Sequence, residues 1–332
     1  MKRLWTTRYR HELSLAAVLV LLAVAIAVVN PAFLSLSNLF DLCKSSTVLG
    51  IFALGVFIVL LSGGIDISFT AIAAFSMYAT SSALPSVLSG SAAVAFLCAG
   101  CIGLLLGLFN AFFISSYRLP TLIVTLDSAS VFRGFLLGFI GTRIVTNLPS
   151  GMVEFSKQSL FETSLPDGGR TGLSVSFLLF IAAAAAVWAM LRYTMLGKGI
   201  RALGGNAEAA RRVGFNLGRV QFFVYGLVGF LSGVAGMIHA CTMRNANPFD
   251  LVGMELTVIA AVVLGGADIA GGRGTVAGTL LGVALLVTIN NSLILLNVPS
   301  YWQNVLVGLV IIVSTGLTAH RNPRALRGVI VG

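Results

Sequence analysis

Charged residues are scarce in this sequence, at 10% of 332 positions, against roughly a quarter in soluble globular chains. A chain so poor in charge cannot cover a water-facing surface, which excludes a soluble enzyme. Cysteine is scarcer still, with four residues. Cys98 and Cys101 lie inside an apolar stretch and the other two are far apart, so no disulfide framework follows. The C-x-x-C spacing of that pair has no second cysteine pair and no neighbouring histidine, which argues against redox or metal chemistry. The three histidines, His11, His239 and His320, match no catalytic or metal-ligand spacing.

A phosphate-binding loop is also missing. Gly197-Lys198-Gly199 has no hydroxyl residue after the lysine, and Gly271-Gly272-Arg273-Gly274-Thr275 has no lysine. No Gly-x-Ser-x-Gly elbow with a matched histidine occurs, which argues against an intramembrane serine hydrolase. The chain therefore reads as neither an enzyme nor its own ATPase, with no catalytic residues and no cofactor of its own. The net charge of +10 raises nucleic acid as a partner. The basic residues, however, sit in short segments between apolar stretches, so they carry topology rather than a nucleic-acid footprint.

What the sequence has in abundance is apolar residues, 57% of the chain. Ten apolar windows stand out, at 12–29, 47–62, 67–85, 93–115, 121–141, 173–192, 219–240, 253–266, 274–296 and 301–319. The second and eighth are short for a hydrocarbon core of about 30 Å. The first follows Lys2, Arg3, Arg8 and Arg10, and Asn30-Pro31-Ala32-Phe33 after it lacks a small-x-small cleavage site, so it reads as a retained span. With alternating sides, 15 of the 21 Lys and Arg fall on the side of the N-terminus and five on the other. That bias puts both termini in the cytoplasm and the loop over 143–172 outside. The expected fold is an all-α, polytopic membrane helix bundle, one transmembrane domain over 1–332.

Two segments break the spans with one pattern, Gly63-Gly64-Ile65-Asp66-Ile67-Ser68 and Gly265-Gly266-Ala267-Asp268-Ile269-Ala270. Glycine-broken spans in corresponding positions mark either an internal duplication beside a transport path or a coincidence in a glycine-rich chain. Gly103/Gly107, Gly134/Gly138, Gly229/Gly233 and Gly274/Gly278/Gly282 place small residues on helix faces where backbones can approach. Within 197–218, Asn206 can cap a short helix reaching Val213. Glu208 suits its positive end, Arg211 and Arg212 its negative end, and Gly214 a left-handed stop. So short a helix must dock on its own bundle or on a partner.

Polar residues within spans are costly and draw attention as possible pathway groups. Asp127 is one such group, although it starts near a span end where solvation is easy, and Arg133 six residues on is not on its i+3 or i+4 face. Asn110, Asn290 and Asn291 can hydrogen-bond either a polyol or a neighbouring helix.

Five blocks occur in an order that resembles the permease subunit of ribose-type bacterial ABC importers. They are Gly63 to Ser68; Pro120-Thr121-Leu122-Ile123-Val124-Thr125-Leu126 with Arg133-Gly134; Gly204-Gly205-Asn206 with Ala209-Ala210 and Gly214; Glu255 to Gly265-Gly266; and Gly271 to Thr275. The resemblance covers roughly residues 30 to 320. It implies a multi-pass protein of the bacterial cytoplasmic (inner) membrane. Its implied partners are a second permease chain, same or related, membrane lipid, a cytoplasmic ATP-binding subunit that uses the ATP, and a periplasmic or extracellular solute-binding protein delivering a sugar or related polar solute. The implied ATPase-coupling residues are Gly204, Gly205, Asn206, Glu208, Ala209, Ala210, Arg211, Arg212 and Gly214. Candidate pathway residues are Asp66, Asn110, Thr125, Asp127, Glu255, Asn290 and Asn291. The sequence departs from the family pattern at Phe69-Thr70, where Val-Gly is usual, at Asp127 in place of glycine, and at Thr257 in place of an acid, and the solute is left unnamed. The alternative is a secondary transporter or channel, although neither a relay of acids nor a basic ladder is present.

Overall fold

The computed structural model describes residues 10–83, 91–164 and 170–296, with isolated positions up to 309. Most of the tenth window, the cluster Lys2, Arg3 and Arg8, and the turn Pro166 to Gly169 lie outside the described residues. In chain order the helices are α1 (Arg10–Val29), α2 (Leu36–Leu61), α3 (Phe69–Ala83), α4 (Ala92–Tyr117), α5 (Thr121–Phe135), α6 (Ser150–Lys157), α7 (Val175–Tyr193), α8 (Met195–Gly205), α9 (Ala207–Arg212), α10 (Leu217–Met243), α11 (Met254–Leu264) and α12 (Val276–Leu295). A π-helical segment, Leu136–Ile140, extends α5. Among the described residues seven helices are long and apolar enough to cross a membrane: α1, α2, α4, α5 with its π segment, α7, α10 and α12. The shorter α3 and α11 complete a polytopic bundle.

Two details differ from the sequence reading. The second span is not short: α2 starts at Leu36, where the Ser35 side chain accepts from the Asn38 N–H, and runs 26 residues. Its first eleven residues include Ser37, Asn38, Asp41, Lys44, Ser45 and Ser46, whose polarity hides them from an apolar window. The segment 143–172, expected from its turn residues to fold, does so with strands that an all-α reading did not include: α6 is followed by an antiparallel hairpin of β1 (Ser159–Ser164) and β2 (Arg170–Ser174). Among the described residues the bundle is all-α apart from this hairpin and the isolated bridge Val145–Ala246.

The core is built on α2, whose residues from Leu49 to Leu61 are buried all round. A helix that is apolar on every face belongs in the centre of a bundle. Helices α4 and α10 pack through paired glycines. A Cβ on Gly103 would lie 2.1 Å from the Gly229 carbonyl oxygen, and one on Gly233 would lie 2.1 Å from that of Ala99. Small residues four apart let two backbones touch, which in lipid substitutes for the missing hydrophobic drive. Gly278 and Gly282 of α12 meet Gly265 and Ala261 in the same way. Gly134 and Gly138 do not: a Cβ on either meets nothing within 4 Å.

The two broken segments share a local design. Helix α2 ends with the Gly64 N–H donating to the Val59 carbonyl and Gly63 to Leu60; α11 ends with Ala267 donating to Val262 and Gly266 to Val263. Both are Schellman stops, and Gly63 and Gly266 carry the positive φ that such stops require, +81° and +89°. After each stop an aspartate side chain accepts from the N–H two residues on, Asp66 from Ser68 and Asp268 from Ala270. The aspartates keep the sequence offset of 202, whereas the stops are offset by 203, so the second segment is one residue shorter between stop and aspartate.

Candidate functional site

After its stop the chain does not leave the bundle. Residues 64–68 run inward without helix or strand, and Asp66 and Ser68 are buried. Backbone that is neither helical nor paired survives at membrane depth only when other groups satisfy it. Thr121 and Thr125, one turn apart on α5, do so. The Ile65 N–H donates to Thr121 Oγ1 (3.0 Å), the Ile67 N–H to Thr125 Oγ1 (3.4 Å), and Thr125 Oγ1 donates to the Ile65 carbonyl (3.3 Å). Ser68 Oγ donates to Asp66 Oδ1 (2.7 Å) and accepts from Asn110 Nδ2 (2.8 Å). The structure thus brings together Asp66, Asn110 and Thr125. Their hydrogen bonds hold the inward segment, and Asn110 Oδ1 is left buried without a partner.

A second polar group joins three elements. Arg133 Nη2, near the end of α5, donates to Glu255 Oε1 in the first turn of α11. It also donates to Thr70 Oγ1 (3.1 Å), and that hydroxyl donates to the same Glu255 oxygen. Sequence reasoning weighed Arg133 only against Asp127 and missed its partner 122 residues away. Thr70 carried a signal, since it is one of the departures from the family pattern. Asp127 lies on the exposed face of α5, apart from this group. Asn290 and Asn291 are half-buried on α12, with Asn291 Oδ1 lacking a partner, and among the described residues no hydrogen bond ties them to either cluster.

The segment after α7 holds two helices rather than the one read from sequence. Thr194 caps α8 by accepting from the Gly197 N–H (3.1 Å), and Asn206 caps α9 by accepting from the Ala209 N–H (2.9 Å). Glu208 and Arg212 pair across one turn at 2.5 Å, both exposed. At the far end the Phe215 N–H donates to the Ala210 carbonyl and Gly214 takes φ +94°. Ala210 alone of α9 is buried, so the helix presents Ala207, Glu208, Ala209, Arg211 and Arg212 outward.

The helix that leads into α9 touches both broken segments. A Cβ on Gly204 would lie 2.1 Å from the Leu61 carbonyl oxygen, 2.7 Å from the Gly272 nitrogen and 2.9 Å from the Gly63 nitrogen. The Gly272 N–H donates to the Leu61 carbonyl (2.9 Å), tying the segments to each other. The start of α1 joins the same end of the bundle: His11 Nε2 lies 3.0 Å from the Leu264 carbonyl oxygen, and Glu12 accepts from Thr275 Oγ1 (2.9 Å).

Residues 38–315 match the family described as the permease component of branched-chain amino acid transport systems. The chain is 34% identical over 308 residues to the ribose import permease protein RbsC of Escherichia coli strain K12, covering 92% of each. It is 35% identical over 309 residues to the RbsC of Bacillus subtilis strain 168, covering 92% of this chain and 91% of the relative. With the autoinducer 2 import system permease protein LsrC of Enterobacter sp. strain 638 it shares 33% identity over 296 residues, covering 89% and 82%. No solved structure matches this chain. The chain belongs to this permease family: it is the membrane component of an ABC-type solute importer, a non-catalytic, multi-pass protein of the bacterial inner membrane. Membership implies a separate subunit that hydrolyses the ATP.

Proposed function

We propose, on the premise of this family membership, that the chain forms the path for a small neutral polyhydroxylated solute, with α9 seated on the ATPase. The observation that carries the coupling is the contact of Gly204 with both broken segments. An exposed helix capped at both ends is thereby one short helix away from the turns that start α3 and α12. Six residues do not hold a helix unaided. A partner surface on the exposed side of α9 supplies the missing contacts, and its movement pulls on Gly63 and Gly272 through Gly204.

In this reading residues 197–218 are the coupling segment of a single transmembrane domain spanning 1–332, and both termini face the cytoplasm around about ten spans. The contacts of His11 and Glu12 with the second broken segment support one side for the N-terminus and α9. Residues 143–172 face outward, where a solute-binding protein would meet two paired permease chains. The pathway residues are drawn from Asp127, Glu255, Asn290 and Asn291, while Asp66, Asn110 and Thr125 act by holding the segment that shapes it. The polyhydroxylated class rests on the relatives named for ribose and autoinducer 2 import and on the hydroxyl and amide groups within the bundle.

The test is ATP-driven uptake by the complete importer in proteoliposomes, measured with D-ribose, L-arabinose, leucine and glutamate. Saturable uptake of a pentose, untouched by excess amino acid, is expected. Uptake of leucine with no pentose transport would contradict the proposed solute class.

A further inference from the structure

Three side chains from α3, α5 and α11 meet in a closed ring of hydrogen bonds. Thr70 donates to Glu255, Arg133 donates to Glu255, and Arg133 donates to Thr70. Two counts along the helices give the depth of the ring. Arg133 is twelve residues beyond Thr121, which binds the inward segment, so it stands about 18 Å along α5 at 1.5 Å per residue. Glu255 is eleven residues before the stop at Gly266, about 16 Å along α11. Both figures fall near the middle of a hydrocarbon core of about 30 Å.

The ring is not sealed inside the chain. Thr70 is buried, but the Arg133 side chain is 32% exposed and that of Glu255 16%. The exposed face of α5 beside it carries Asp127 and Ser130 among the apolar Leu126, Val131 and Phe135. Leu97 and Leu105 of α4 and Ile181 of α7 also point outward, with no charged group beside them on their own faces. A partly exposed ion pair at this depth is not solvated by acyl chains, and such groups face a bundle interior or a water-filled cavity. The exposed edge of the ring is therefore read as opening on an aqueous space between the apolar side chains that flank it.

The ring also limits what it can bind. A guanidinium paired to a carboxylate has no net charge to attract an ion, yet it offers strong donors and a strong acceptor side by side. Arg133 Nε is buried with no partner, and the hydroxyl of Thr70 is tied on both sides. Adjacent hydroxyls of a polyol, each a donor and an acceptor, match that arrangement. We infer that Thr70, Arg133 and Glu255 form a recognition site for vicinal hydroxyls of a neutral solute at mid-membrane on the path wall. This rests on the import reading above.

The test uses the complete importer in proteoliposomes, with Cys43, Cys98, Cys101 and Cys241 replaced and one cysteine introduced. Ser130→Cys places a thiol one turn from Arg133, and Leu105→Cys places one on the apolar face. Labelling by a charged methanethiosulfonate requires a hydrated thiolate, so Ser130→Cys is expected to react about tenfold faster than Leu105→Cys. Ribitol is expected to slow the Ser130→Cys reaction about threefold while betaine at equal osmolality does not, because only ribitol offers paired hydroxyls. Protection should vanish with Glu255→Gln or Thr70→Val and persist with Thr70→Ser. Labelling as slow as at Leu105 would set this face against lipid and overturn the site. Fast labelling without ribitol protection, or protection that survives both Glu255→Gln and Thr70→Val, would overturn the recognition site and leave the import reading standing, since that reading is judged by uptake.

Discussion

At the scale of single residues the most consequential position is Gly204, which holds no functional group at all. Its contribution is the absence of a side chain, since any Cβ would meet the Leu61 carbonyl oxygen at 2.1 Å. Gly204→Ala should therefore leave membrane insertion normal and abolish solute uptake, with ATP hydrolysis by the complex no longer tied to transport. Asn206→Ala removes a helix cap worth about 1 kcal/mol, and should weaken ATPase retention during purification without changing the amount of permease in the membrane. The capping residues were legible in the sequence because a cap is a local matter of four or five residues. The Arg133–Glu255 pair was not, because 122 residues separate partners that only the folded bundle brings together. Asp66 was legible as important but not in its role, since its use as an acceptor for Ser68 depends on how residues 64–68 turn inward.

At the scale of elements, the helices were readable because apolar runs are long and continuous: nine of the ten windows correspond to described helices, of which seven are long and apolar enough to cross a membrane. The start of α2 was hidden by its own polar residues, and the hairpin within 143–172 by its mixed composition. Glycine spacing pointed to close helix packing but not to which pairs use it. Gly229→Leu should force α4 and α10 apart, at an overpacking cost of about 1–3 kcal/mol or more, seen as a lower Tm of the purified protein in detergent. Gly134→Leu, on a face open to at least 4 Å, should leave that Tm unchanged. Equal losses at both positions would contradict the assignment of the close packing to α4 and α10.

At the scale of the whole molecule, the proposed orientation rests on the charge distribution and on the contacts of α1. A thiol introduced at Ser159 in β1 should be labelled from outside intact cells by an impermeant reagent, and one at Ala207 in α9 only after the membrane is opened. The central claim is that α9 is where the ATPase grips this permease and that Gly204 passes the movement on. The most direct measurement is disulfide or short-linker crosslinking from a cysteine at Ala209 to the separately expressed ATPase, run beside co-purification of Glu208→Arg and Gly214→Val. Glu208→Arg sets positive charge at the positive end of α9, and Gly214→Val strains its left-handed stop. The account predicts an ATP-sensitive crosslink at Ala209, and loss of ATPase from both variants at normal expression. No crosslink from Ala209, together with full retention of the ATPase by both variants, would contradict it.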